Sequence, residues 1–297
     1  MESLEQLQRQ LSTLGELRSI VKTMKALSAA SIRQYESAVD ALERYAQTIE
    51  RGLYVLVRDM HTLPNTPAKP KNETVLAIVF GSDHGLCGRF NEVISAFTLS
   101  TLSDYSNQAS GPQKQYLMTV GTRVTSTLEH HQQSINKEFK LPSTAAAVNR
   151  TVQEILLEVD QYRERYPITK VCLFYNKHSK GQAYEAYLHV LLPVDIQGFK
   201  RLKEGQWPSH SLPTYSMPLE QLLSKLIEQY LFVSIFRACT ESQASEHASR
   251  LSAMKSAQRN LDDRLQDVTM NFRHARQAEI TNELLDVLSG FETITKA

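Results

Sequence analysis

No proline occurs before Pro64 or after Pro218, although the chain of 297 residues contains ten. Glycine is nearly as scarce there: of eleven in the chain, only Gly15, Gly52 and Gly290 lie outside that window. Without these breakers the two ends have no signal for a turn or kink. Cysteine is also sparse. Cys87, Cys172 and Cys239 are three in number, far apart and never in a CxxC pair. That excludes a disulfide scaffold and a paired-cysteine zinc site, and reads as reduced thiols in a cytosol-like compartment. Excess charge is missing too. Lysine and arginine number 33 against 32 acids, a net charge of +1. Nothing global points to nucleic acid or to an anionic membrane surface. No apolar run approaches the roughly 18 residues that span a bilayer. The longest, such as Val75–Phe80, are strand-sized. The opening MESLEQLQRQ reads neither as a signal peptide nor as an Arg/Ser-rich transit peptide.

What the ends do contain is helical periodicity. From about Ser3 to Met60, apolar residues recur mostly at alternating spacings of three and four, beginning Leu4, Leu7, Leu11 and Leu14 and ending Leu53, Leu56 and Met60. Two slips, near Leu14 and Ser28, alter local supercoil winding. The second series runs from Leu219 through Leu226, Val233, Leu251, Leu261, Val268 and Leu284 to Ile294. It thins through Ala238–Ser249, which is small and polar. At 1.5 Å per residue the two helices would be about 85 and 110 Å long. If both leave the same side of the intervening segment and pair, they must run antiparallel. The second would then overhang the first by about 30 Å.

The middle reads as α/β. A linker, Leu63–Asn72, precedes the buried strand Thr74–Phe80, and a glycine-rich turn from Gly81 to Gly88 leads to a helix near Asn91–Leu102. Strand Gln115–Val120, a helix from Thr122, a helix Ser143–Arg165 capped by Ser143 or Thr144, strand Lys170–Tyr175 and a hairpin partner Ala183–Pro193 follow. The alternation predicts a largely parallel sheet. The expected domains are residues 1–62, an N-terminal coiled-coil helix; 63–217, a central Rossmann-like α/β domain; and 218–297, a C-terminal coiled-coil helix. The fold class is α/β with long helices, the two ends forming an antiparallel coiled coil.

Few residues point to chemistry. The Gly81–Gly88 turn stands where a phosphate loop would, but it matches neither G-x-G-x-x-G nor G-x-x-x-x-G-K-[ST]. Tight crossover geometry explains its glycines. His84 and Cys87 have H-x-x-C spacing, but zinc needs two further ligands and no second cluster exists. Thus no catalytic, cofactor or metal residues are expected. Both helical ends carry ordered charge: five bases and one acid from Arg9 to Arg33, six bases and three acids from Arg250 to Arg276. Such a collar reads as a solvated helix face or as a surface for an acidic partner. Two architectures remain open on these grounds: a coiled-coil scaffold, and an α/β nucleotide-binding protein with coiled-coil arms.

Three segments carry a resemblance. Gly81-Ser-Asp-His-Gly-Leu-Cys-Gly-Arg-Phe-Asn91 is similar to S-D-R-G-L-C-G-G-F-N, and Ala244-Ser-Glu-His-Ala-Ser-Arg-Leu-Ser-Ala-Met-Lys255 to A-S-E-x-A-A-R-M-x-A-M-K. His274-Ala-Arg-Gln-Ala-Glu-Ile-Thr-Asn-Glu-Leu284 is similar to K-A-R-Q-A-x-I-T-x-E-L. These patterns, and the layout of the whole chain, resemble the γ-subunit family of F-type rotary ATP synthases. His84 replaces the family's arginine, Arg89 its glycine, and Glu16-Leu-Arg-Ser-Ile-Val21 its N-T-x-K-I-T stretch. The divergent N-terminal stretch looks like the alternative, N-type branch of F-ATPases found in some bacteria.

The resemblance implies a rotor that performs no bond chemistry. It turns inside a ring of three α and three β subunits and couples transmembrane ion flow to ATP synthesis or hydrolysis. Its base, with the ε subunit, sits on the c ring of the membrane sector. The implied partners are therefore α, β, ε and the c ring, with no nucleic acid, no cofactor and no insertion into the bilayer. The implied location is peripheral, on the cytoplasmic face of the bacterial inner membrane. By motif, Met24, Lys25, Arg276, Gln277, Thr281 and Glu283 are candidates for β-subunit contacts. Leu284, Val287, Leu288, Phe291 and Ile294 are candidates for an apolar tip bearing, and Asp83, His84 and Arg89 for contacts of the base loop.

Overall fold

The computed structural model describes residues 3–59, 74–108, 114–179, 182–194 and 213–295. The expected linker Leu63–Asn72 lies outside them. Helix α1, Leu4–Asp59, has 56 residues, and the C-terminal helix α5, Leu219–Thr295, has 77. Neither contains proline, so every interior N–H is available to the helical ladder. Between them lie β1 (Thr74–Phe80), α2 (Phe90–Gln108), β2 (Lys114–Val120), α3 (Thr122–His130) and β3 (Lys137–Phe139). A 3-10 turn Ala145–Ala147, α4 (Val148–Arg165), β4 (Lys170–Ser179) and β5 (Gln182–Leu192) follow.

The sheet order is β3-β2-β1-β4-β5, parallel except for the β4–β5 hairpin. All seven residues of β1 are buried, as an unbroken β-branched run at a sheet centre requires. Alternation divides its side chains between two cores. Leu76, Ile78 and Phe80 face α4 through Val152 and Ile155, and α5 through Ile235, Ala238 and Cys239. Val75, Ala77 and Val79 face α2 and α3 through Ile94, Leu102, Val124 and Leu128.

Two sequence expectations are corrected. The helix expected from Ser143 begins only at Val148, after the 3-10 turn, and Thr144 makes no capping hydrogen bond. Thr144 is extended (φ −143°, ψ 158°), and the three alanines tighten into a turn before the α-helical ladder starts. Strand β3 was not anticipated. Its three residues are too short for a periodic signal and depend on pairing with β2.

Compact packing divides the chain into Ala29–Ser249 on one hand and Met1–Ser28 with Arg250–Ala297 on the other. In both, α1 and α5 pack together and run antiparallel. Within the first unit, Tyr35 stacks on His247 at 5.6 Å, the Tyr45 hydroxyl donates to Gln229 at 2.7 Å, and Gly52 faces Leu226. Leu42, Ala46, Ile49, Leu53 and Val233 make their shared core. Within the second unit, Arg18 pairs with Asp262 at 2.7 Å and Lys25 donates to Gln258 at 2.6 Å. In each case the α5 partner number falls as the α1 number rises.

Candidate functional surfaces

The glycine-rich turn after β1 sits at the topological switch point, where the strand order reverses between β1 and β4. Nucleotides commonly bind there in open α/β sheets. In this chain the turn's polar groups bond to one another and to α5. Asn91 Oδ1 accepts from Ser82 N at 3.0 Å, Asn91 Nδ2 donates to Ser82 Oγ at 2.8 Å, and Ser82 Oγ donates to the His84 carbonyl at 2.8 Å. Asn176, at the carboxyl half of β4, donates to the Phe90 carbonyl at 3.0 Å. From α5, Ser249 Oγ donates to the Cys87 carbonyl at 2.6 Å. Gly88 has φ 62°, and a methyl group on it would stand 3.8 Å from Ser249 Oγ. Gly81 is needed for closeness: a Cβ there would run into Val124 and come within 2.7 Å of Asn91 Oδ1. The glycines thus let a tight turn lie against two helices.

Of the base-loop residues, Asp83 has a structural task. Its Oδ1 accepts from Thr122 N at 2.9 Å, and its carbonyl accepts from the Thr122 hydroxyl at 3.1 Å. A carboxylate there satisfies a first-turn donor of α3 and complements the helix dipole. His84 and Arg89 are exposed, and Arg89 approaches Glu92 at 3.8 Å. Leu86, with φ 64°, is also exposed at the turn's apex. Sequence reasoning passed over it, although a lone leucine inside a Gly-Leu-Cys-Gly turn has little room to point inward.

The contact candidates occupy both helices of the second unit. Met24 and Lys25 are half-buried on α1, with the Lys25 ammonium engaged by Gln258. Arg276, Gln277, Thr281 and Glu283 are all exposed on α5, and the Thr281 hydroxyl donates to the Gln277 carbonyl at 2.8 Å. Every residue from Arg276 to Leu288 is exposed. Leu284 is 65% exposed, Val287 71% and Leu288 63%; Ile280 and Leu285 join them. The last two were missed because the stripe was read for one face only. Phe291 and Ile294 lie outside the residues whose side chains are described.

The small, polar part of α5 is its most enclosed stretch. Ala238, Cys239, Thr240, Ser242, Gln243, Ser245, Glu246 and Ser249 are buried. Burial, then the nearby Cys239 and Glu246, pushes the Tyr35 hydroxyl up to about 12. Burial likewise raises the Glu241 carboxyl, although Lys177 and Arg237 pull it down. Among the described residues no group of three His, Cys, Asp or Glu side chains could hold a metal ion. No described helix is long and apolar enough to cross a membrane.

Comparison with known proteins agrees with this architecture. The ATP synthase family model matches residues 3–294. The ATP synthase gamma chain of Geobacter sp. (strain M21) is 30% identical over 303 residues, covering 99% of each chain. That of Anaeromyxobacter sp. (strain Fw109-5) is 28% identical over 301 residues, covering 99% of this chain and all of its own. Among solved structures, a chain of the Euglena gracilis mitochondrial ATP synthase (OSCP/F1/c-ring) superposes with a TM-score of 0.64 at 18% identity. The match covers 98% of this chain and 94% of that one. A chain of the Tetrahymena thermophila mitochondrial ATP synthase central stalk and c-ring gives 0.56 at 22% identity, over 80% of this chain and 99% of that one. Such likeness speaks for the fold, whereas the end-to-end sequence matches speak for kinship. The proline-free helices, the sheet between them and the motifs on loop and helix therefore have one explanation: the chain belongs to the ATP synthase gamma-chain family and is its non-catalytic, rotary central-stalk subunit, coupling rotation to catalysis.

Proposed function

We propose that the exposed end of α5, residues 276–288, is the surface through which this rotor acts on its ring. Its polar part, Arg276, Gln277, Thr281 and Glu283, contacts β subunits together with Met24 and Lys25 of α1. Its apolar part, Leu284, Val287 and Leu288 and, by sequence, Phe291 and Ile294, turns in an apolar sleeve. The observation that supports this reading is the run of exposed leucine and valine on a helix that no other element covers there among the described residues. Large apolar side chains left bare over several turns mark an interaction surface.

The division of labour follows. Residues 1–62 and 218–297 form the shaft and 63–217 the base, which meets the ε subunit and the c ring. Asp83, His84 and Arg89 are the base-loop contacts, and Asp83 also holds the start of α3. The chain is peripheral, held on the cytoplasmic face of a bacterial inner membrane through the complex, and its divergent N-terminal stretch fits the N-type branch. Affinity purification with quantitative mass spectrometry tests this: one copy should co-purify with three α, three β, one ε and a c ring. A stable homodimer without those partners would defeat it.

A further inference from the structure

A cavity of about 270 Å³ opens between the β4–β5 hairpin, α1 and α5. Its walls follow from two periodicities. On the hairpin, Tyr175 and Lys177 share one sheet face with Tyr187 and His189, because Tyr175 pairs with Tyr187 and alternate residues point the same way. On α5, Tyr230, Val233, Ser234 and Arg237 lie at spacings of three, one and three, one helix stripe. Ala46, Ile49 and Glu50 of α1 close the third side.

Three polar groups of this cavity, on Arg237, Lys177 and His189, have no hydrogen-bonded partner among the described residues. Neither the Arg237 guanidinium nor the Lys177 ammonium forms an ion pair or a hydrogen bond among the described residues, although both side chains are half-buried. Lys177 lies 5.3 Å from the centre of the Tyr187 ring. Its cross-strand neighbour Glu185 does not close a salt bridge with it. His189 Nε2 is buried without a hydrogen-bond partner. Burial, then the charge of Arg237, keeps this imidazole's pKa below its usual value, so it can be a neutral donor or acceptor. Acids stand near the cations without bonding them: Glu50 is exposed at the edge, and Glu241, whose carboxyl Lys177 and Arg237 pull down, lines a neighbouring hollow that Lys177 shares with Glu36 and Asp40.

We propose that this cavity binds a small free oxyanion of the phosphate type. Arg237 supplies a planar fork for two oxygens and Lys177 a point charge. His189 Nε2 and the Tyr187 hydroxyl supply neutral hydrogen bonds. The volume lies just below the roughly 300–1,000 Å³ of sites for larger organic ligands. It suits an ion and excludes a whole nucleotide. Nothing in the rotor function requires this site. It shares no residue with 276–288, so its fate and that of the rotor reading are independent.

The probe is inorganic phosphate, added to the full-length chain at constant ionic strength with sodium chloride as the balancing salt. Isothermal titration and thermal unfolding should both report binding, the melting temperature rising with phosphate concentration. Arg237→Gln should weaken affinity at least about tenfold, the loss expected for a charge-assisted hydrogen bond. Arg163→Gln, at the end of α4, should leave it unchanged. Circular dichroism checks that each variant folds. Should Arg237→Gln fail to fold, Lys177→Gln on the hairpin carries the same expectation. Stabilisation by chloride equal to that by phosphate, equal phosphate binding by the cavity and Arg163 variants, or tighter binding of ADP than of phosphate would each overturn the assignment.

Discussion

Ser249 Oγ donates to the carbonyl oxygen of Cys87 at 2.6 Å, joining α5 to the turn after β1 across 162 positions of sequence. A buried carbonyl takes its partner from a helix that arrives only at the far end of the chain. Ser249→Ala removes that donor and should cost about 1–3 kcal/mol. The urea midpoint should fall with no change in the denaturant slope.

Gly81 tests the closeness of the same turn. Because a Cβ would run into Val124, Gly81→Ala must push α3 away from the sheet end. Overpacking of this kind costs about 1–3 kcal/mol. Gly81→Ala with Val124→Ala should recover part of the loss, which a double-mutant cycle in urea would measure.

Tyr35 makes stability fall at alkaline pH. Its pKa is raised from 10.0 to about 12, so the folded state holds a proton that the unfolded chain releases. The resulting stability is fully present below pH 10 and is lost as pH rises towards 12, about 2–3 kcal/mol in all. The Cys239 thiol, pushed up to about 12 by burial and then by Glu246, adds a loss in the same direction from near pH 9. Tyr35→Phe should flatten the fall between pH 10 and 12 in equilibrium unfolding. An unchanged pH profile would show that Tyr35 ionises normally.

Arg276 separates coupling from folding. Its exposure predicts that Arg276→Ala changes stability by no more than about 0.5 kcal/mol. In the assembled complex, ATP-driven ion pumping per ATP hydrolysed should drop, because the fork that grips a carboxylate is gone. Pumping at the wild-type ratio would remove Arg276 from the contact surface.

Legibility in the sequence varied with the range of the interaction. The limits of α1 and β1 followed from proline, stripe spacing and a β-branched run, all local signals. The β4–β5 pairing followed from a glycine turn between two apolar runs. Strand β3 and the 3-10 turn before α4 did not, since both are three-residue elements set by their neighbours. Among the site residues, Asp83 has a further partner that sequence spacing cannot reveal: its carboxylate accepts from Thr122 N across a crossover. The unmatched Arg237 and Lys177 were invisible for the same reason. They come together only when a hairpin meets a helix.

The stretch Ala238–Ser249 divides what each level decides. By itself the sequence determined that both ends are long helices. Without proline the chain has no break, and an apolar stripe at three- and four-residue spacing fits one face of a helix and not of a strand. It also carried the family motifs. It showed the stripe thinning across this stretch, where small and polar residues replace leucine. The tertiary structure decided what that means: this is where α5 is enclosed, by α1 through the Tyr35–His247 stack and by the sheet domain through Ala238, Cys239 and Ser249. Small side chains let α1 and the sheet domain approach one helix from different sides. A helix enclosed in this way has no single apolar face for periodicity to report.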